Sequence, residues 1–326
     1  MTPRNIALLC GLLGALMPAG GLHAQQSKVL NVALAGTMEH VISRQIGPAF
    51  TAATGYTLNV TRAPSIALAN RIVSGELKPD VYISSDANVM ELIMGPTNND
   101  RSRWYVPILG SRTVLMHGMQ SRYNKDIDAV REGKLPWYEL MQRPGLVLKR
   151  PNPVVDSGGS RAIFVFELAE RLYKLPGLKQ RVLGDDHNES QYSDRTVIFP
   201  QIRDGRIDVF LTYLSNPLAE GFPFLDLPEE VDQSNPSMQD WYSTVSYTSP
   251  VGQTFRGTSA AYGVTIPVAA ANPMAAEAFV RFLLSEQGMM KFQRAGFYIF
   301  KELRIVGDQA AVPESIRSLV MAKRTL

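Results

Sequence analysis

Short unbroken apolar runs alternate along the chain with stretches whose apolar residues recur every three or four positions. Residues 29–34 (VLNVAL) read as a buried strand, and Ala35-Gly36-Thr37 ends it. Residues 38–54 then carry Val41, Ile42, Ile46 and Phe50 at helical spacing. Residues 56–60 predict a second strand, and residues 66–74 a helix stopped by Gly75, with Arg62-Ala63-Pro64-Ser65 as the loop between them. A third short strand at 80–83 runs into Ser84-Ser85-Asp86. The same alternation returns later, with strands at 113–116, 146–148, 207–213 and 261–266 and helices at 162–173 and 273–292. Residues 222–253, rich in Pro, Ser, Asp and aromatics, read as a surface connection with short strands. Strand, small-residue loop and helix in rotation predict an α/β fold with parallel sheets and crossover helices.

Four strand ends share one pattern, a hydroxyl or small residue just before a helix or turn. They are Gly36-Thr37, Pro64-Ser65, Asp156-Ser157-Gly158 and Tyr213-Leu214-Ser215. Ligands of open α/β sheets sit beyond the carboxyl ends of the strands. The free N–H groups and the dipole of each following helix favour an anion there. Taken singly, a Ser or Thr at such a place is an ordinary helix cap.

Composition narrows the setting. Residues 1–24 hold one basic residue, Arg4, an apolar core from Ile6 to Met17, and Leu22-His23-Ala24, and they read as a secretory signal peptide. Cys10 is the only cysteine, so a mature chain beginning at 25 would have none and would depend on an ordinary core. A length of 326 residues with 45% hydrophobic content suffices for two lobes. The net charge of +3 is scattered, which argues against a nucleic-acid footprint. No later apolar stretch is long enough to span a bilayer. Enzyme signatures are missing as well: Gly257-Thr258-Ser259-Ala260-Ala261 lacks the last glycine of a nucleophile elbow, and no His-Glu-x-x-His or phosphate-loop pattern occurs.

The blocks VALAGTMEHVISRQIGPAFTAATG, KPDVYISSDANVM, NPVVDSGGSRAIFVFELAERLY, DGRIDVFLTYLS, FLDLPEEVDQSNP, YGVTIP and FVRFLLSEQGMMKFQRAGF follow one another over nearly the whole mature chain. In that order they resemble the periplasmic solute-binding proteins of molybdate and tungstate ABC transporters, and most of all their tungstate-binding branch. The resemblance implies a two-lobed type II periplasmic-binding fold, each lobe a mainly parallel sheet flanked by helices, with the ligand cleft between them. Residues 25–113 and 258–326 would form one lobe and 114–257 the other. It further implies a periplasmic, monomeric, non-enzymatic protein with no cofactor, whose cargo is tungstate or molybdate and whose partners are a permease and its ATPase. Carried over by position, the ligand-binding residues fall on Gly36, Thr37, Ser65, Asp156, Ser157 and Tyr213.

Asp156 is the unexpected member of that set, because a carboxylate repels an oxyanion. Molybdenum(VI) and tungsten(VI) accept further hard oxygen ligands, whereas sulfate and phosphate do not, so a carboxylate on the metal would select between them. The competing reading makes Asp156 a plain cap of the following helix. The second carboxylate of the tungstate branch falls on Asn216, whose amide would donate to an oxyanion oxygen instead; Glu220 is out of register. Arg161 reads as structural, pairing with Asp156 or with the lobe interior. Two rivals stand beside this reading: a protein of the same fold for another small anion or a metal ion, and a sensory module with no transport role.

Overall fold

Residues 28–322 are described by a computed structural model. Thirteen strands follow in chain order: β1 (Val29–Ala35), β2 (Thr57–Ala63), β3 (Val81–Ser84), β4 (Trp104–Gly110), β5 (Thr113–His117), β6 (Leu148–Lys149), β7 (Val209–Tyr213), β8 (Phe224–Leu225), β9 (Ser246–Thr248), β10 (Thr254–Arg256), β11 (Ala261–Thr265), β12 (Tyr298–Ile299) and β13 (Val306–Gly307). The first sheet has the order β12-β4-β11-β3-β1-β2, with β13 also paired to β4. A second sheet, β6-β7-β5-β8, is built wholly from the intervening chain, and β9 and β10 form a separate hairpin. Short apolar runs such as Val81–Ser84 and Val209–Tyr213 are buried at every position, as strands covered on both faces must be.

Strand direction departs from the expected mainly parallel sheets. β1 is parallel to β2 and β3, but β11 is antiparallel to both β3 and β4, and β5 is antiparallel to β7 and β8. The chain leaves the first sheet along β4 and returns along β11, so an outgoing and a returning strand lie side by side and must oppose each other. β4 itself escaped the periodicity reading. Its Pro107 has no N–H to give, and the register of β4 against β11 shifts beside it, between Tyr262 and Gly263.

Three other elements differ from expectation. The helix expected at 273–292 is two, Pro273–Leu284 and Glu286–Arg294, because Ser285 is extended and accepts the Gly288 N–H as a cap. The expected surface connection at 222–253 sends Val231, Tyr242, Val245 and Tyr247 into the core cluster around the helix Ser157–Tyr173. That helix begins five residues earlier than its apolar periodicity, so Ser157-Gly158-Gly159-Ser160 forms its first turn. A Cβ on Gly159 would lie 2.3 Å from the backbone nitrogen of Pro153 and 2.6 Å from the Pro151 carbonyl oxygen. Only glycine admits the Pro151–Pro153 strap against the helix, and this packing sets one wall of the site.

Candidate functional site

A cavity of about 630 Å³ lies between the two sheets. Gly36, Thr37, Arg62, Ser65 and Ser85 border it from the first-sheet side, and Asn152, Asp156, Gly158, Tyr213 and Asn216 from the other. Six of the seven sequence-predicted residues therefore meet there. Ser157, the seventh, is buried behind the wall, where its hydroxyl lies 3.2 Å from that of Ser85.

Helix starts and hydroxyls dominate the polar surface. Gly36 and Thr37 open a helical run, and Thr37 Oγ1 accepts the Tyr262 hydroxyl at 3.0 Å, so its own proton is left to donate elsewhere. Ser65 starts the helix Ser65–Ser74, which has no side-chain cap. Its Oγ accepts the Ser85 N–H at 3.0 Å and lies 2.9 Å from Ser85 Oγ. Ser65, Ser85 and Ser157 thus form a hydroxyl chain from one lobe to the other. Sequence reasoning passed over Ser85, although it shares the strand-end pattern of the others. A backbone bond, Ala67 N–H to the Val155 carbonyl at 3.2 Å, crosses at the same level.

Asp156 caps the helix Ser157–Tyr173, its Oδ1 accepting the Gly158 N–H at 2.8 Å, while its side chain borders the cavity. Capping and ligand contact are compatible in this geometry. Asn216 is buried and turns its amide to Thr212 Oγ1 at 2.6 Å, leaving Oδ1 without a hydrogen-bond partner. The Tyr213 hydroxyl is also buried without one, and burial pushes the phenol pKa far up, so it enters any contact protonated. Glu220 is turned away and lies 3.8 Å from Arg203.

Of the two pairings expected for Arg161, Asp156 or the lobe interior, the structure has the second. Arg161 is 1% exposed and bonds Asp86 Oδ2 through Nε at 3.1 Å and Nη2 at 2.8 Å. Nη1 bonds Gln233 Oε1 at 2.9 Å and the Thr258 carbonyl, and Nη2 also reaches Thr258 Oγ1 at 3.0 Å and the Ser259 carbonyl at 3.3 Å. Burial works most strongly against the charge, but Asp86 and Tyr213 together outweigh it and the guanidinium pKa is raised. Arg161 is therefore a pin between lobes, with no donor left for an anion. The cavity's own arginine, Arg62, is paired with Glu39. Among the described residues no three His, Cys, Asp or Glu side chains gather as a metal cage.

Two sheets with helix starts facing a shared cleft call for comparison with known proteins. The family model for bacterial extracellular solute-binding proteins matches residues 30–298. The chain belongs to that family. An uncharacterized solute-binding protein of Petrotoga mobilis is 28% identical over 67% of this chain and 67% of its own. The molybdate/tungstate-binding protein WtpA of Thermococcus kodakarensis is 25% identical, covering 78% of this chain and 75% of its own. The periplasmic molybdate-binding protein of Azotobacter vinelandii superposes with a TM-score of 0.53 at 15% identity, over 83% of this solute-binding protein and 99% of that chain. At that identity the likeness concerns the fold, which is the two-lobed type II periplasmic-binding arrangement.

Proposed function

We propose that this protein is the extracytoplasmic binding component of an ABC importer and that its cargo is a tetrahedral oxyanion, molybdate or tungstate. One observation carries the reading. Two helix starts, at Thr37 and Ser65, the first turn of the helix that Asp156 caps, and Tyr213 border one cavity whose only bordering cation among the described residues is already paired. Neutral hydroxyls and N–H groups aligned with helix dipoles replace the water shell of an anion without binding it irreversibly. In this proposal the lobes, residues 25–113 with 258–326 and residues 114–257, close over the anion. Asp156 adds an oxygen to the metal centre, and a permease then opens the lobes. The relatives named for molybdate and tungstate support the cargo class. The signal peptide at 1–24 lies outside the described residues; cleavage after Ala24, a periplasmic site of action and a monomeric state are parts of the proposal.

A second reading has an observation of its own. A cavity of about 630 Å³ is in the range that holds ligands of drug size. It is bordered by Pro151, Val155 and Phe210 as well as by Asp156 and Asp194, which would suit a larger organic ligand carrying a cationic head.

Calorimetric titration of the mature chain, unfolded and refolded to strip ligand, separates the two. The panel is molybdate, tungstate, sulfate and phosphate, with Asp156→Asn beside the native protein because asparagine keeps the cap. Binding of the two metal oxyanions alone, weakened about tenfold by the substitution, is the expected result. Absence of binding by all four would sink the oxyanion reading and favour the organic one. Equal sulfate binding would reduce Asp156 to a cap.

A further inference from the structure

Thr37 borders a second, smaller cavity of about 110 Å³. His40, Gln45 and Arg294 line it from the first lobe, and Ser215 from the second. The lobes touch beside it. A Cβ on Gly296, a residue at φ +84°, would fall 2.1 Å from Leu218 Cδ1, so the seam has no slack there.

Its chemistry is the reverse of the large cleft's. The cleft is bordered by Asp156, Asp194 and an arginine already bound to Glu39. The small cavity is bordered by a guanidinium and an imidazole and, among the described residues, by no carboxylate. Within the described residues neither Arg294 nor His40 has an ion pair or side-chain hydrogen bond. Ser215 is 4% exposed, and its Oγ has no hydrogen-bond partner. A buried hydroxyl in that state is unfavourable unless an acceptor reaches it. The other groups are donors too. Thr37 keeps a proton to give, and an imidazole carries at least one N–H in either protonation state. A cavity this much smaller than the cleft suits a small ion rather than an organic ligand.

We propose that this seam cavity is an anion site distinct from the large cleft, taking one small inorganic anion between Arg294 and His40 on one lobe and Ser215 on the other. Because its donors come from both lobes, an anion there holds the seam shut. A free halide and the oxyanion cargo in transit past Thr37 share this chemistry. The proposal does not depend on what the large cleft carries.

Anomalous diffraction from the mature protein, crystallised once with bromide and once with molybdate, tests it, together with the double variant His40→Gln/Arg294→Gln. Neither residue borders the large cleft. The expected result is a bromide peak between Arg294 and Ser215, and bromide binding about tenfold weaker in the variant, as loss of charge-assisted hydrogen bonds requires. A molybdate peak at the seam as well would identify cargo in transit. Bromide at the seam with no molybdate in the cleft would end the cargo reading and leave this one standing. No seam peak in either salt, or a peak undiminished in the variant (an adventitious ion only), would overturn it.

Discussion

Two of the places where the lobes meet are built on opposite principles. On the hinge side Arg161 and Asp86 form an ion pair removed from solvent, and every guanidinium nitrogen is bonded to Asp86, Gln233 or the Thr258–Ser259 crossover. On the cleft side Thr37, Ser65, Ser85 and Tyr213 are neutral, and Tyr213 and Asn216 keep polar atoms without partners. A saturated buried charge cannot exchange partners cheaply, whereas a neutral hydroxyl can give its proton to a neighbour or to a ligand. The joint is thus a closed ion pair, whereas the hydroxyl donors of the cradle are neutral.

The hardest blow to this contrast is Arg161→Ala. It leaves Asp86 buried and unpaired, and a loss of about 3–5 kcal/mol is expected from urea unfolding. A loss below about 1 kcal/mol would mean that the hinge pair is no more than a surface contact. Replacing both partners by apolar residues of similar size should recover most of the loss.

The second test stays on the hinge side. Asp232 adjoins Gln233, is 3% exposed, and burial pushes its pKa up to about 6. A folded-state pKa above the unfolded one favours the protonated form. Its contribution is therefore full below about pH 4 and lost as pH rises through 6, by up to about 3 kcal/mol. Stability of the native protein measured against Asp232→Asn across pH 4–7 should fall by that order. A flat difference would show that Asp232 is solvated in the fold.

Two smaller effects belong to the cleft. Gly159→Ala must push the Pro151–Pro153 strap away, and about 1–3 kcal/mol of destabilisation is expected, with weakened ligand binding in the same titrations. Ser65→Ala strips the Ser85 N–H of its acceptor, costing about 1–2 kcal/mol in urea unfolding. It should weaken anion binding about tenfold. If it changes stability alone, Ser65 is a structural link in the hydroxyl chain, and the cradle is smaller than proposed.

Much of this was legible in advance because local patterns carry it. Buried strands appear as short apolar runs, so β1, β3, β7 and β11 were read nearly to their ends. The strand-end pattern singled out Thr37, Ser65, Asp156 and Tyr213, and the structure has all four bordering one cavity. What escaped depends on distant partners. β4 was missed because its Pro107 is tolerated only where the pairing with β11 shifts. The early start of the helix at Ser157 was hidden by two glycines, whose use is clear only once the strap lies against Gly159. Ser85 looked like a neighbour of a cap until Ser65 and Ser157 closed on either side of it.

The sequence by itself determined the α/β alternation, the helix starts and the family. Each of these is written in spacing within some twenty residues or in the order of blocks along the chain. Tertiary structure alone decided which carboxylate holds Arg161, since Asp86 and Asp156 are equally near it in kind and only the lobe contact separates them. It also decided that Arg294, His40 and Ser215 border one small cavity at the seam. Ion pairs and cavities are made by groups brought within a few ångströms from anywhere in the chain, and no local pattern encodes that distance.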